Sequence, residues 1–375
     1  MKHRNIIAVL IAGAIVAAFF ALMVSRPDER RGAVTIWYAE TDAAAAQLAE
    51  AAGEYNSSLS RTALPVKLVA YADERALAAA FDEGAPDIVL CSHFRAFDMA
   101  ARGRLTDISA SLASRAPSYP KGTESRNASI GKSFFPIGIS TQVLLVNKSL
   151  CTDAPYADLE ALCARASAYA DECSAPFFAV SAPAELFFTA LLRAGEEFVA
   201  QADAVQGENY IRIYNLIAGA AYCGALADMS GAEAAEAVAT GALPCAIVST
   251  ASLSEGGIDG CAVYALPTLS AGVAGGSYGE AFGLAVTAGG SRSMNDIAAF
   301  IAWLFSSNRD VRLALQASCV PAREGTLITR NALWSALLKL DYGGIFALLP
   351  QDSDFAHNKA AFDEAFSRRM RFIAQ

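Results

Sequence analysis

Acidic and hydroxyl side chains follow each of the first three strand-like runs in this 375-residue sequence. Glu40 and Asp42 come after the first run, Asp73 after the second, and Ser92 and His93 after the third. Carboxylate, hydroxyl and imidazole groups can bind the hydroxyls of a polar solute, and carboxylates can also bind a cation. Asp and Ser at such positions also cap helices, because they accept hydrogen bonds from the first backbone N–H groups. Both interpretations stay open for Asp42 and Asp73.

A second set of candidate ligand-binding residues is aromatic or carries a hydroxyl. Tyr38 ends the first strand-like run, Ser249 and Thr250 follow a later apolar run, and Ser277 and Tyr278 lie in a glycine-rich stretch. An aromatic ring can pack on the apolar face of a sugar, and glycine lets a backbone approach a ligand closely. The glycine-rich stretch is equally typical of an ordinary loop.

Residues suited to catalysis or metal binding are scarce. His93 and His357 are the only histidines beyond the first few residues. The sequence contains no P-loop, and no two of its cysteines have C-x-x-C spacing. We therefore expect no catalytic residues, no metal and no cofactor. A pair of carboxylates acting as in glycosidases stays open as an alternative.

The composition indicates a folded chain with large apolar cores. Hydrophobic residues make up 54% and charged residues 18%, which excludes intrinsic disorder. The formal net charge of −9 argues against binding to nucleic acid or to an anionic membrane surface. A small solute is therefore the expected partner.

The amino terminus has the pattern of an export segment. Lys2 and Arg4 precede an unbroken apolar run over residues 6–24, which is long enough to span a bilayer. Neither a clean cleavage site nor a cysteine for lipid attachment follows directly. A cleaved signal peptide and an uncleaved membrane anchor over residues 1–31 both stay open. In either case, residues 33–375 are expected in the periplasm or at the cell surface.

The eight cysteines are expected to be mostly structural. Cys91, Cys245 and Cys261 lie in or beside apolar strand-like runs, where a free thiol behaves as a small buried hydrophobe. Three more lie between residues 151 and 173, where a disulfide could form in an oxidising compartment. The chain therefore has room for one or two bridges.

Strand-like and helix-like runs alternate along the first part of the chain. Residues 33–38, 66–71 and 87–91 are typical of strands, and each precedes a helical pattern. This β-α-β-α-β-α order predicts a parallel sheet with helices on its faces. Two further extended runs, at residues 133–139 and 142–147, begin a second series of elements. The elements are too many for one sheet, which predicts an α/β protein with more than one sheet.

Five segments, in this order, resemble the sugar-binding type of extracellular solute-binding protein that serves ABC importers. The resemblance covers roughly residues 33–325, and the region after Arg323 and the missing lipid-anchoring cysteine depart from it. The segments are VTIWYAETD, the PDIVL strand with the later GRLTDI, SFFPIGISTQVLLVNKSL, ATGALPCAIVS, and AFGLAVTAGGSRSMNDIAAFIAWLFSS with the later VPAREG.

The resemblance implies a two-lobed periplasmic-binding-protein-like fold with a hinge and a central cleft, preceded by an N-terminal apolar helix. It implies one lobe from residues 33–140 plus about 267–310, and another from residues 141–266 plus about 311–375. The strand-end residues named above would then bind the ligand in the cleft. Glu185 and Phe188, which begin a second-lobe helix, would be further candidates.

The implied function is non-enzymatic capture of a sugar or oligosaccharide and its delivery to the transmembrane subunits of an ABC permease. The protein would be a monomer that meets the membrane only through its N-terminal segment. A polyamine, a metal ion or a phosphate ester stays open as the ligand, because the strand-end carboxylates also suit a cation. A membrane-tethered ligand sensor with the same fold stays open as the alternative role.

Overall fold

Short runs rich in Val, Ile and Phe form the strands of two main sheets. The structure is a computed structural model that describes residues 32–59, 63–81, 83–119, 128–196, 207–253, 260–269, 277–290, 292–323, 346–347 and 355–375. Their strands are β1 (Val34–Ala39), β2 (Val66–Tyr71), β3 (Ile88–Ser92), β4 (Phe134–Ser140), β5 (Gln142–Asn147), β6 (Phe178–Val180), β7 (Leu226–Ala227), β8 (Cys245–Ser249), β9 (Cys261–Ala265), β10 (Ser277–Tyr278), β11 (Glu280–Val286), β12 (Val320–Pro321) and β13 (Phe346–Ala347).

Helices cover the sheets and connect most of these strands. They are α1 (Ala45–Ser58), α2 (Glu74–Ala80), α3 (His93–Ala101), α4 (Ser109–Leu112), α5 (Leu159–Cys173), α6 (Pro183–Arg193), α7 (Gly207–Tyr222), α8 (Gly231–Thr240), α9 (Met294–Ser306), α10 (Arg309–Gln316) and α11 (Phe355–Ile373). Among the described residues, no helix combines the length and apolarity needed to cross a bilayer. The predicted export or anchor segment, residues 1–31, lies outside the described residues.

The first sheet has six strands in the order β12-β4-β11-β3-β1-β2. Strands β1, β2 and β3 are parallel, as the alternating pattern predicts. The prediction of a parallel sheet is otherwise wrong, because β11 runs antiparallel to both β3 and β4 and β12 runs antiparallel to β4. This sheet and helices α1–α4, α9 and α10 are called the six-stranded unit below. One of its cores packs Ile36 and Leu284 of the sheet against Ile297 and Phe300 of α9.

The second sheet has five strands in the order β7-β6-β8-β5-β9. Strand β5 pairs antiparallel with both β8 and β9, and β6 pairs parallel with β7 and β8. This sheet and helices α5–α8 and α11 are called the five-stranded unit below. In its main core, Phe187 of α6 packs against Phe362 and Phe366 of α11, with ring centroids 5.4 and 5.6 Å away.

The chain passes between the two units at places where backbone segments contact each other. Thr141 separates β4 of the first sheet from β5 of the second, and the chain returns through β10 into β11. The Thr141 hydroxyl donates to the Tyr278 carbonyl at 2.7 Å, and its N–H donates to Thr250 Oγ1 at 3.2 Å. The two crossing segments are therefore joined at the boundary, as expected for a hinge.

The carboxyl-terminal part of the chain is shared between the units. Strand β12 pairs with β4, and α10 packs on β4 where Gly138 has no side chain: a Cβ there would lie 3.2 Å from the Ala314 Cβ. Helix α11, in contrast, packs on α6 and α7. We therefore propose that the first lobe extends to about residue 323 rather than 310 and that α11 belongs to the second lobe.

The cysteines differ from part of the expectation. All eight lie within the described residues and are free thiols, so the predicted one or two bridges are not present. Cys91, Cys245 and Cys261 are buried, as predicted. Only Cys173 and Cys223 are exposed.

Candidate functional site

A cavity of about 910 Å³ lies between the six-stranded unit and helix α11 of the five-stranded unit. Most of its walls come from α2, α3, the loop after α3, and the ends of β4 and β11. Its lining residues are Glu74, Ala78, Phe81, Ser92, Phe94, Arg95, Asp98, Met99, Arg102, Arg104, Ser140, Glu280, Ala281, Phe282, Cys319, Lys359, Ala360 and Asp363.

Two capped helices present much of this lining. Asp73 accepts a hydrogen bond from the Ala76 N–H at 2.7 Å and begins α2, and Ser92 accepts one from the Arg95 N–H at 3.4 Å and begins α3. Each cap directly follows a parallel strand, so both helices start at the same edge of the sheet. This arrangement places polar side chains around the cavity mouth.

Ion pairs on the outer wall compensate most of its charge. Arg95 Nη1 lies 3.1 Å from Glu74 Oε2, and Arg102 Nη2 lies 2.9 Å from Asp98 Oδ1. The Arg95 guanidinium also lies over the Phe81 ring, 5.3 Å from its centroid. These pairs are partly solvent-exposed, so each contributes little to stability. The described residues of this wall therefore offer hydrogen-bonding groups and one unpaired positive charge, that of Arg104.

A buried ion cluster closes the opposite side of the cavity. Lys359 Nζ of α11 lies 2.6 Å from Glu185 Oε1 of α6 and 2.6 Å from Glu280 Oε1 of β11. The Tyr278 hydroxyl donates to the same Glu280 oxygen at 2.9 Å. Asp363, one turn further along α11, accepts a hydrogen bond from the Ala184 N–H at 2.7 Å. Three carboxyl groups thus surround one ammonium group.

Burial shifts the proton affinities of this cluster. Burial and the nearby Glu280 raise the pKa of Glu185 to about 7, although Lys359 acts in the opposite direction. Burial likewise raises the pKa of Asp363 to about 6. Burial alone would lower the pKa of Lys359, but Glu185 and Glu280 raise it above its ordinary value. The lysine therefore stays charged, while Glu185 and Asp363 keep their protons to a higher pH than usual.

The structure brings only Ser92 of the ten predicted site residues to the cavity wall. Glu40 is exposed, and Asp73 acts as the cap described above. Tyr38 is half-buried against the core of the six-stranded unit. Asp42 does not cap α1 as the sequence allowed. It accepts a hydrogen bond from the Ala39 N–H at 3.2 Å, and burial and the nearby Glu74 raise its pKa to about 6.

His93 is fully buried and does not reach the cavity. Its Nδ1 accepts a hydrogen bond from the Ala281 N–H at 3.0 Å, and its ring lies 3.9 Å from that of Phe94 between centroids. Burial lowers the pKa of the imidazole to about 4, so it stays neutral at physiological pH. Its predicted ligand contact is replaced by a structural link between α3 and β11.

Tyr278 is likewise buried instead of facing the cavity. Its ring is 1% exposed and stacks on Phe188 at 4.7 Å between centroids, inside the core of the five-stranded unit. Ser277 is buried and accepts a hydrogen bond from Arg193 Nη2 at 3.0 Å. Residues 275–279 spell G-x-S-x-G, but a buried serine bonded to an arginine is not an exposed nucleophile. Residues 270–276 lie outside the described residues.

Ser249 and Thr250 lie at the crossing between the units rather than at the cavity. Thr250 is fully buried, and its N–H donates to the Thr141 carbonyl at 2.8 Å. Ser249 accepts a hydrogen bond from the Ala251 N–H at 3.4 Å and thereby begins a single helical turn. The structure assigns both residues to the backbone connection.

Sequence reasoning did not find Arg95, Asp98, Arg102, Lys359 or Asp363. The spacing of Asp98 and Arg102 is that of an i,i+4 helical pair, which by itself indicates only a solvated helix face. Lys359 and Asp363 share one face of α11 at the same spacing, but their partners Glu185 and Ala184 are far away in the chain. Within the described ranges, no grouping of three His, Cys, Asp or Glu side chains is arranged to hold a metal ion.

Two α/β units joined by crossing segments, with a cavity between them, define a two-lobed binding protein. Residues 63–308 match the family described as bacterial extracellular solute-binding protein, and this chain belongs to that family. Membership implies a location outside the cytoplasm. No similar sequence was found among curated proteins.

Solved structures of sugar-binding proteins share the fold at low sequence identity. A cyclic alpha-maltosyl-1,6-maltose binding protein from Arthrobacter globiformis is 15% identical, with a TM-score of 0.65, and the alignment covers 92% of this chain and 95% of that one. The GacH receptor of Streptomyces glaucescens, solved unliganded and with acarbose, is 17% identical with a TM-score of 0.64, over 92% and 99% of the two chains. A maltose-bound protein from T. maritima is 12% identical with a TM-score of 0.63, over 91% and 99%.

Proposed function

We propose that this protein captures a sugar or oligosaccharide in the cavity between its two units and delivers it to an ABC permease. The observation that carries the proposal is the lining of the cavity. Half-buried rings of Phe94 and Phe282 lie there together with ion-paired Arg and Asp or Glu side chains, whereas the Phe81 ring is covered by Arg95. Aromatic faces suit the apolar faces of sugar rings, and paired polar groups suit neutral hydroxyls.

The charges of the outer wall disfavour a cationic solute, because its two carboxylates are paired and Arg104 adds a positive charge. Because Glu74 and Asp98 are each paired with an arginine, neither offers a free carboxylate to a polyamine or a metal ion. Fold neighbours that bind maltose, acarbose or cyclic maltosyl-maltose are consistent with a saccharide. Of the candidate ligands that the sequence left open, a neutral sugar or polyol is therefore the one that we propose first.

A ligand panel measured by thermal shift and calorimetry tests the proposal. Maltose, maltotetraose, sorbitol, spermidine, Mg²⁺ and glucose 6-phosphate represent the competing ligand classes. A true ligand at 100 times its dissociation constant should stabilise the protein by about 2.7 kcal/mol. Stabilisation by spermidine, Mg²⁺ or the phosphate ester alone would overturn the saccharide assignment.

Paired variants locate the site. Phe94→Ala and Phe282→Ala remove rings from the cavity wall and should weaken saccharide binding by about tenfold or more each, since a lost ring contact costs about 1–3 kcal/mol. Tyr222→Ala removes a ring that is 79% exposed on the five-stranded unit and should leave binding unchanged. Equal effects of all three variants would place the ligand elsewhere.

Delivery to a permease and attachment through residues 1–31 complete the proposal. A transport assay in cells that lack this chain, restored by the full-length protein, tests delivery. Membrane fractionation of the full-length chain distinguishes a retained anchor from a cleaved signal. A chain that binds saccharide but does not restore uptake would favour a sensor role instead.

A further inference from the structure

Helix α11 is held by one unit and reaches the other through the side chain of Lys359. Phe362 and Phe366 on one face pack against α6 and α7, which fixes the helix to the five-stranded unit. On another face, Lys359 bonds to Glu185 within that unit and to Glu280 on β11 of the six-stranded unit. The lysine therefore bridges the two units beside the crossing segment that contains Tyr278.

The bridge is largely buried, so removing one of its charges should cost much more free energy than at the surface. The exposed fractions of the side chains are 15% for Lys359, 7% for Glu185 and 29% for Glu280. Both carboxylate oxygens lie 2.6 Å from the same Nζ atom, so the two acids lie close to each other. Without the ammonium between them they would repel each other, and the repulsion would act directly between α6 and β11.

We propose that Lys359 is a positioning residue that sets the separation of the two units, and thereby the fraction of molecules whose cavity can close on a solute. The inference about closure rests on the proposed function, whereas the separation of the units can be measured without any ligand. The apparent affinity for a ligand equals the intrinsic affinity multiplied by the fraction of molecules that can close. A substitution at Lys359 that changes this fraction therefore changes the affinity, although Lys359 need not contact the ligand.

Protonation should modulate this contact. The titratable groups that face Lys359 are Glu185 from α6, Glu280 and Tyr278 from the crossing segment, Asp363 from its own helix, and His93 from α3. His93 stays neutral and Tyr278 stays protonated across the physiological range, because burial lowers the pKa of the first and raises that of the second. Glu185 and Asp363, whose pKa values burial raises to about 7 and about 6, are therefore the groups that change charge between pH 5 and 8.

Distance measurements between the units test the proposal on the full chain without a ligand. Lys67 of β2 and Tyr222 of α7 are exposed, one on each unit. Spin labels attached there through azide-bearing amino acids avoid the native cysteines, and double electron–electron resonance gives the distance distribution. Lys359→Met should lengthen and broaden the distribution at pH 8, whereas Lys359→Arg should retain that of the wild type.

A double variant separates charge from packing. Replacing Glu280 in Lys359→Met/Glu280→Gln removes the repulsion, so its distribution should contract to that of Glu280→Gln alone. Loss of the packing of the lysine stem would not be reversed in this way. Lowering the pH from 8 to 5 should also contract the Lys359→Met distribution, because Glu185, whose pKa burial raises, takes up a proton and no longer repels Glu280.

These experiments test the positioning role of Lys359 and the proposed function independently of each other. A wild-type distribution in Lys359→Met, or a double variant as extended as Lys359→Met, would overturn the positioning role. If Lys359→Met does not fold, Glu280→Gln keeps the test: it weakens the bond between Lys359 and β11 but leaves no second acid to repel Glu185, so its distribution should broaden without lengthening. Failure of maltotetraose to bind the wild-type protein would count against the proposed function and would leave these distances unaffected.

Discussion

The outer wall of the cavity and the contact behind it contain the same kinds of ion pair in different surroundings. Arg95 with Glu74 and Arg102 with Asp98 are partly exposed, whereas Lys359 with Glu185 and Glu280 is largely buried. Water screens and replaces the exposed pairs, so they contribute little to folding. A buried charge cannot recover its hydration when its partner is removed, so breaking a buried pair is costly. The comparison teaches that the two walls serve different purposes, one for contact with a solute and one for the relation between the units.

Removing the buried cation should have the largest effect on stability. Lys359→Met leaves Glu185 and Glu280 without their common partner and should lower the free energy of unfolding at pH 8 by about 3–5 kcal/mol. Urea unfolding followed by circular dichroism measures the loss. Lys359→Arg keeps the charge and should retain most of the stability. A loss below about 1 kcal/mol would remove the contrast between the two walls.

Part of the pH dependence of stability should come from the buried side of the cavity, in addition to the part that comes from Asp42. The pKa of Glu185 is raised to about 7 and that of Asp363 to about 6, so the folded state holds these protons more tightly than the unfolded state. Stability from this source is full below pH 4 and is lost as the pH rises through 6 and 7, by about 1–3 kcal/mol.

Unfolding in urea at pH 5, 6, 7 and 8 measures this dependence. Glu185→Gln should flatten the curve, because glutamine binds no proton. Glu364→Gln on the exposed face of α11 is the matched control and should leave the slope as in the wild type, since that side chain is 71% exposed and pairs with Arg368 at the surface. If neither variant changes the slope of unfolding free energy against pH, groups other than Glu185 cause the pH dependence.

The best-packed pair of the outer wall should have an intermediate effect. Arg95→Met removes the bond to Glu74 and the contact with the Phe81 ring, and should cost about 1 kcal/mol. Denaturant midpoints at low and high salt measure it, and the loss should shrink in 1 M NaCl because salt screens the pair. A loss comparable to that of Lys359→Met would mean that this wall is also structural.

The exposed helical pair should have the smallest effect. Arg102→Gln and Asp98→Asn break an i,i+4 bridge whose arginine side chain is 59% exposed, and each should change stability by about 0.5 kcal/mol or less. Their effect on saccharide affinity, measured by calorimetry, should exceed their effect on folding if this wall contacts the solute. An unchanged affinity in both variants would exclude the pair from the binding surface.

Local patterns predicted most of the elements of this fold. The strands β1, β2 and β3 follow β-branched and aromatic runs, and Asp73 caps α2 as its position before an alanine-rich helix allowed. These features depend on neighbours within a few residues, which the sequence displays directly. The order of elements also carried the resemblance to solute-binding proteins, and the family match confirms it.

Of the residues that line the cavity, the sequence predicted only Ser92. Ser92 lies on the cavity because it ends a parallel strand, which is a local property. His93 and Tyr278 are polar aromatic residues at positions that suit a ligand, yet antiparallel pairing of β11 with β3 buries the first and stacking on Phe188 buries the second. Exposure depends on what packs from elsewhere in the chain, and no pattern of neighbours reveals it.

The sequence by itself determined the class of fold, the location of the strands and the helix caps, because these follow from backbone preferences and short-range hydrogen bonds. Only the tertiary structure decided which side chains meet at the cavity and at the bridge between the units. Lys359 lies 174 positions from Glu185 and 79 from Glu280. Contacts over such distances form because α11 buries Phe362 and Phe366 on the five-stranded unit, and the ammonium group is brought to its partners by that packing.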